Sequence, residues 1–152
     1  MNKAIIYTDG SSLGNPGSGG YGIILEIRDE DDKLISRNEY SESFKVTTNN
    51  RMELLAVIEG LECLKEPHDV IIWSDSRYVI DAINEGWLYN WIRNGWKTSS
   101  KKLVKNLDLW HRLIKVMKGH NIEFRWVRGH SNNPNNNRCD ELANAAASFY
   151  ND

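Results

Sequence analysis

The stretch Ala4-Ile5-Ile6-Tyr7-Thr8-Asp9-Gly10-Ser11-Ser12-Leu13-Gly14-Asn15-Pro16-Gly17 decides how the rest of the chain is read. Ile5, Ile6 and Tyr7 form a short apolar run of the kind that becomes a buried strand. Asp9 stands where that run gives way to Gly and Ser. A carboxylate there is costly unless it stays wet or meets a cation. Gly10, Gly14 and Gly17 allow another molecule to approach the backbone closely. Two readings stay open on this stretch alone. One is a hairpin loop whose Asp9 hydrogen-bonds its own turn; the other is a metal ligand beside a backbone groove.

Outward from it, Tyr21–Arg28 reads as a second strand and Leu34–Tyr40 as a third, more polar one at a sheet edge, with the charged turn Asp29–Lys33 between them. Short connections make the three an antiparallel meander. Thr47-Thr48-Asn49-Asn50 is a helix-start signature, because Thr and Asn side chains accept from free N–H groups. The helix is expected to run to about Leu64, burying Leu54, Val57, Ile58, Leu61 and Leu64. Val70-Ile71-Ile72-Trp73 is continuously apolar and ends in Ser74-Asp75, as expected of a central parallel strand. Arg77 to Glu85 reads as the helix that leaves it.

From Gly86 to Leu107 there is no acidic residue, while Arg93, Lys97, Lys101, Lys102 and Lys105 alternate with Trp87, Trp91 and Trp96. Leu103, Leu107, Trp110, Ile114 and Met117 step by four, three, four and three, which predicts an amphipathic helix. Ile122, Phe124 and Trp126 give a fifth strand. Gly129–Asn137 reads as a polar loop, and Cys139, Leu142, Ala143, Ala146 and Tyr150 mark a last helix with Asp140 in its first turn. The order predicts an α/β fold: a five-stranded mixed sheet, three antiparallel strands then two parallel, flanked by helices.

The 152 residues suit one domain, spanning 1–152, with residues 86–106 as a basic, Trp-rich protrusion. The net charge of -2 neither favours nor excludes nucleic acid, because the distribution of charge matters more. With no long apolar run, neither a membrane helix nor a secretory signal is expected. Cys63 and Cys139 sit among apolar neighbours, which points to reduced thiols and a cytoplasmic protein.

Four acids stand out by position. Asp9 and Asp75 lie at or near strand ends, and Glu53 and Asp140 near helix starts. Each has an ordinary explanation as a cap or a dipole partner. Strand ends and helix starts also converge in such a fold. Four carboxylates in one place repel strongly unless cations neutralise them. Oxygen ligands of this kind suit Mg²⁺ or Mn²⁺, and two such ions can hold the attacking and leaving oxygens of a phosphoryl displacement.

Thr8-Asp9-Gly10-Ser11 with Gly14-Asn15-Pro16-Gly17, Thr48-Asn49-Asn50-Arg51-Met52-Glu53-Leu54, Ser74-Asp75-Ser76, Trp126-Val127-Arg128-Gly129-His130 and Arg138-Cys139-Asp140-Glu141-Leu142-Ala143 occur in that order. Together they closely resemble bacterial type 1 ribonuclease H, and the likeness covers essentially the whole chain. The resemblance implies a ribonuclease H-like fold. It makes Asp9, Glu53, Asp75 and Asp140 metal-binding catalytic carboxylates, and His130 a loop histidine that assists proton transfer or product release. It implies a monomeric, Mg²⁺-dependent endonuclease, with Mn²⁺ as the alternative and up to two ions present with substrate. The enzyme would hydrolyse the RNA strand of RNA–DNA hybrids to 5′-phosphate and 3′-hydroxyl ends. Gly10, Ser12, Asn15, Asn49, Asn50 and Arg77 match groove-lining positions, where an RNA strand is told from DNA by its 2′-hydroxyls. Thr48 and Asn106 match a site for a DNA phosphate, and Trp87 and Trp91 match aromatic positions of the protrusion.

The chain also departs from that pattern. Gly86 is one extra residue before Trp87. Ile92, Asn94 and Val46 replace basic residues, and Asn137 replaces an acid. Weaker hybrid binding with intact chemistry is therefore expected. The competing readings are a DNA-cutting integrase or junction nuclease on the same fold, and a non-catalytic hybrid-binding module. The Asn49-Asn50 pair and the basic Trp segment weigh against the first. The four carboxylates weigh against the second, since clustered negative charge only hinders phosphate binding.

Overall fold

In β1 (Lys3–Ser12) alternation does the work: Ala4, Ile6 and Thr8 are buried, while Ile5 and Tyr7 are half-covered. In the computed structural model, which describes residues 1–129 and 132–151, this strand is the centre of a five-stranded sheet of order β3-β2-β1-β4-β5. It pairs antiparallel with β2 (Gly17–Arg28), with Asp9 opposite Gly22, and parallel with β4 (Asp69–Ser74), with Ile6 opposite Ile72. The β2 strand pairs antiparallel with β3 (Leu34–Thr47), and β4 parallel with β5 (Asn121–Trp126). The mixed sheet expected from the sequence is the one observed. The third strand runs seven residues beyond Tyr40, because β2 also starts earlier than Tyr21 and offers it a partner as far as Gly17.

Helix α1 (Asn49–Glu62) starts at an extended Thr48 whose hydroxyl accepts from Arg51 N at 3.2 Å. It ends two residues before Leu64, which is half-buried. Its residues from Met52 to Ile58 are all buried, not one stripe of them. The reason is that α1 is sandwiched between β1 and β2 on one side and α4 on the other. Beyond β4 come α2 (Arg77–Asn84) and α3 (Trp87–Arg93), the latter entered through Gly86 at φ 79°. Asn84 Nδ2 donates to the Phe124 carbonyl at 3.0 Å, so α2 occupies one acceptor on the edge strand β5.

Helix α4 (Leu107–Met117) is shorter than its apolar spacing suggested. Asn106 takes φ 62° and starts the helix after Leu103, which is 64% exposed and sits in a bridge with Lys97. The stripe that is buried is Leu109, Trp110 and Leu113. Trp110 is fully buried. Its indole N–H donates to Tyr78 Oη at 3.1 Å, and Trp91 meets it edge-on at 5.4 Å between centroids.

The last helix, α5 (Pro134–Ser148), begins well before Cys139. Asn133 Oδ1 accepts from Asn135 N and Asn136 N, and Pro134 occupies the first turn. Residues 134–137, expected as the end of a polar loop, are therefore helix, and Asp140 lies in the second turn, not the first. A short 3₁₀ turn, Phe149–Asn151, follows. Helix α5 crosses β2 so tightly that a Cβ on Gly22 would lie 2.3 Å from the Cys139 carbonyl. Both cysteines are free. Cys139 is buried with its thiol directed at the Tyr7 carbonyl, and Cys63 is half-buried. No described helix is long and apolar enough to cross a membrane.

Candidate active site

Strand β1 and helix α1 cross at Gly10. A Cβ on that residue would lie 2.4 Å from Glu53 N and 2.5 Å from the Met52 carbonyl carbon, so α1 passes directly over β1. The close approach places Glu53, on the inner side of α1, against Asp9. The Gly10 N–H donates to both, at 2.7 Å to Glu53 Oε1 and 2.9 Å to Asp9 Oδ1. Asp75 follows the end of β4, which runs parallel beside β1. Carboxylate oxygens of Asp9, Glu53 and Asp75 all lie within 4.8 Å of one another. Asp140 reaches the same spot from α5. Its charge raises the Asp9 carboxyl, and it lines the same cleft. The structure thus brings all four sequence-predicted acids together, three in a tight group and Asp140 at its border.

This crowding is energetically adverse. Asp9 is 8% exposed and Glu53 3%. Burial, with the charges of Asp75 and Asp140, pushes the Asp9 carboxyl up to about 7, although its hydrogen bond with Glu53 opposes the rise. Burial first, then the Asp9 charge, holds the Glu53 carboxyl well above the usual carboxylate range. Ser74, itself fully buried, directs its hydroxyl at Glu53 Oε2 and accepts from Ser76 N at 3.0 Å. The donor set is all hard oxygen, partly solvent-facing and anionic. It fits a divalent cation such as Mg²⁺ or Mn²⁺ and offers nothing to a thiophilic metal.

The cleft beside the acids, about 420 Å³, is lined by Gly10, Asn49, Asn50, Arg77 and the four carboxylates, together with Ser11, Ser76, Tyr78 and Asn144. Asn49 and Asn50 also line a neighbouring cleft of about 500 Å³, with Asn15, Thr48, Lys105 and Asn106. Asn15 Oδ1 accepts from Asn49 N at 2.9 Å, tying the β1–β2 loop to the start of α1. Asn106 is partly engaged already: its Nδ2 donates to Tyr78 Oη at 3.0 Å and its Oδ1 accepts from Arg51 at 3.3 Å. Arg51 is held in turn by a fork to Asp108 at 3.0 and 2.8 Å.

Three sequence-predicted residues lie outside both clefts. The Ser12 hydroxyl closes its own loop onto the Gly14 carbonyl. Trp87 is 42% exposed on the protrusion, whereas Trp91 is half-buried against Trp110. His130 lies outside the described residues. The sequence reading missed Ser11 and Asn144, whose side chains meet at 2.7 Å. Asn144 follows Asp140 by one helical turn, so the spacing alone assigned it to the same face. A mainly apolar depression of about 320 Å³ at the other end of β1, β4 and β5 lies away from the acids.

A sheet of this order, with carboxylates gathered from two strands and two helices, defines a metal-dependent phosphoryl-transfer site. Residues 1–148 match the RNase H family. The chain is 53% identical over 146 residues to Ribonuclease H of Chlorobium phaeobacteroides, covering 96% of each chain. Its fold is similar to the crystal structure of LC9-RNase H1, described as a type 1 RNase H with the type 2 active-site motif. The two have a TM-score of 0.85 and 34% identity over 97% of this chain and 73% of that one. It is also similar to LC11-RNase H1 in complex with RNA/DNA hybrid, at a TM-score of 0.65 and 25% identity over 98% and 99% of the two chains. The chain belongs to the RNase H family. It is accordingly a metal-dependent endoribonuclease.

Proposed function

We propose that the protein cuts the RNA strand of RNA–DNA hybrids, leaving 5′-phosphate and 3′-hydroxyl ends, with Asp9, Glu53, Asp75 and Asp140 holding up to two Mg²⁺ ions. The observation that carries this reading is the clustering of Asp9, Glu53 and Asp75 within 4.8 Å, with Asp140 bordering the same cleft. Mn²⁺ suits the same ligands. Ions bound there supply Lewis acidity and a water of lowered pKa.

The chain's own residues do the rest. The Gly10 N–H fixes one oxygen each of Asp9 and Glu53, so the ligand spacing exists before substrate arrives. Asn49 and Asn50 stand at the junction of the two clefts. Their amides donate and accept, as recognition of a ribose 2′-hydroxyl requires. Gly10, Asn15 and Arg77 border the same surface, with Ser12 shaping the loop behind it. Thr48, Asn106 and Lys105 surround the second cleft, which suits a phosphate of the DNA strand. Trp87 and the lysines of the protrusion extend that contact, and Trp91 supports it from below. His130, between β5 and α5 in sequence, assists proton transfer or product release. The LC11-RNase H1 complex with RNA/DNA hybrid, over a comparable span, supports the choice of substrate. The protein acts as a cytoplasmic monomer of one domain.

The test compares cleavage of end-labelled hybrid, double-stranded RNA and double-stranded DNA, with Mg²⁺ and with EDTA. Cleavage confined to the RNA of the hybrid and abolished by EDTA is expected. Equal cutting of double-stranded DNA overturns the reading in favour of an integrase-like nuclease. Hybrid binding without any cleavage overturns it in favour of a binding module.

A further inference from the structure

Trp126, the last residue of β5, has no role in the chemistry above, yet it touches two residues that do. Its indole N–H donates to the Asp75 main-chain carbonyl at 3.1 Å. The Arg77 guanidinium lies over its ring at 3.7 Å from the centroid, a distance at which a flat cation stacks on an aromatic face. Arg77 is otherwise loosely held. Its side chain is 62% exposed, and its contact with Asp81 is 3.7 Å, long for a hydrogen bond. Trp126 itself is 37% exposed, so the pair forms a ledge at the rim of the carboxylate cleft that Arg77 lines.

We infer that Trp126 is a positioning residue for hybrid binding and turnover. Its ring face holds the Arg77 guanidinium toward the substrate strand, and its indole N–H fixes the chain at Asp75. The inference rests on the hybrid reading above. An unrestrained arginine loses side-chain freedom on binding, and stacking removes much of that cost beforehand. The two contacts divide by function. The stack acts on a group that grips substrate and so on affinity. The hydrogen bond acts on the strand end that carries a catalytic carboxylate and so on turnover.

The experiment measures hybrid affinity in EDTA by fluorescence anisotropy, and kcat and KM in Mg²⁺, for Trp126→Leu, Trp126→Phe, Arg77→Ala and the Leu/Ala double variant. Trp126→Leu is expected to weaken binding about three- to tenfold and Arg77→Ala about tenfold. The double variant should bind no worse than Arg77→Ala, because the stack acts only through Arg77. Trp126→Phe keeps a ring for stacking but has no N–H, so it should bind within about twofold of wild type while kcat falls. Fold-changes that multiply in the double variant overturn the inference. So does an affinity loss in Trp126→Phe equal to that in Trp126→Leu. If Trp126→Leu fails to fold, Trp126→Met, which also lacks an aromatic face and an N–H, takes its place in the cycle. Wild-type protein that binds hybrid no better than double-stranded DNA overturns the substrate reading instead, a result separate from the cycle.

Discussion

Replacing Asp9 by Asn should make the protein more stable and less active, with a stability gain that depends on pH. Desolvation, with the charges of Asp75 and Asp140, pushes the Asp9 carboxyl from 3.8 to about 7. The folded state therefore binds this proton more tightly than the unfolded chain does. Its stabilising effect is complete below about pH 4 and is lost as pH rises through about 7. The difference between 3.8 and about 7 amounts to about 4 kcal/mol. An amide carries no charge, and its oxygen still accepts from Gly10 N–H, a bond of 2.9 Å in the wild type. Asp9→Asn should thus come within about 1 kcal/mol of wild type near pH 4, gain about 2 kcal/mol at pH 5, and gain about 4 kcal/mol at pH 8. For a domain of this size, the last figure is a rise in Tm of about 10 °C. The assay is thermal unfolding by circular dichroism in EDTA across pH 4 to 8, repeated with Mg²⁺. Mg²⁺ should raise the wild-type Tm at pH 8, since a ligand that binds only the folded state stabilises it, and should raise that of the variant by less than half as much. A stability difference independent of pH, or a variant less stable than wild type at pH 8, refutes the argument that burial and the neighbouring acids make an ionised Asp9 costly in the folded protein.

Gly10→Ala should lower both stability and turnover. The new methyl would meet α1 backbone at 2.4 Å, and overpacking of this kind costs about 1–3 kcal/mol; a Tm and kcat within error of wild type contradict it. Changing Lys97, Lys101, Lys102 and Lys105 together to Ala should weaken hybrid binding uniformly across sequences. The slope of log K against log salt should become shallower by up to about 3.6 units, and an unchanged slope places these lysines away from the phosphates.

The sequence made the sheet legible because its strands obey simple periodicity: Ala4, Ile6 and Thr8 in β1, and the unbroken Val70–Trp73 run in β4. It also indicated the four acids, each ordinary at its own strand end or helix start but together embedded in motifs that occur in a set order. What it concealed was long-range. Propensity makes Asn135–Asn137 a loop, but the Asn133 cap and Pro134 convert the run into the first turn of α5. Leu103 fits the apolar spacing of α4, yet the left-handed Asn106 separates it from that helix. Trp87 and Trp91 look equivalent in the sequence, and only the position of Trp110 distinguishes them. The Trp126–Arg77 stack joins residues 49 positions apart, on a strand and a helix that no local pattern connects.

The fit of α5 onto β2 has a bearing on how this enzyme tolerates sequence change. The seat for the helix is an absent side chain, with Gly22 leaving only enough room for the Cys139 carbonyl. Asp140 is the next residue along. A single carbon atom added to the neighbouring strand would lever the helix outward and carry the fourth acid away from its companions, with every chemically active group still in the sequence. Loss of nuclease activity can therefore arise at a position that never meets substrate, and a survey confined to acidic and basic residues would overlook it.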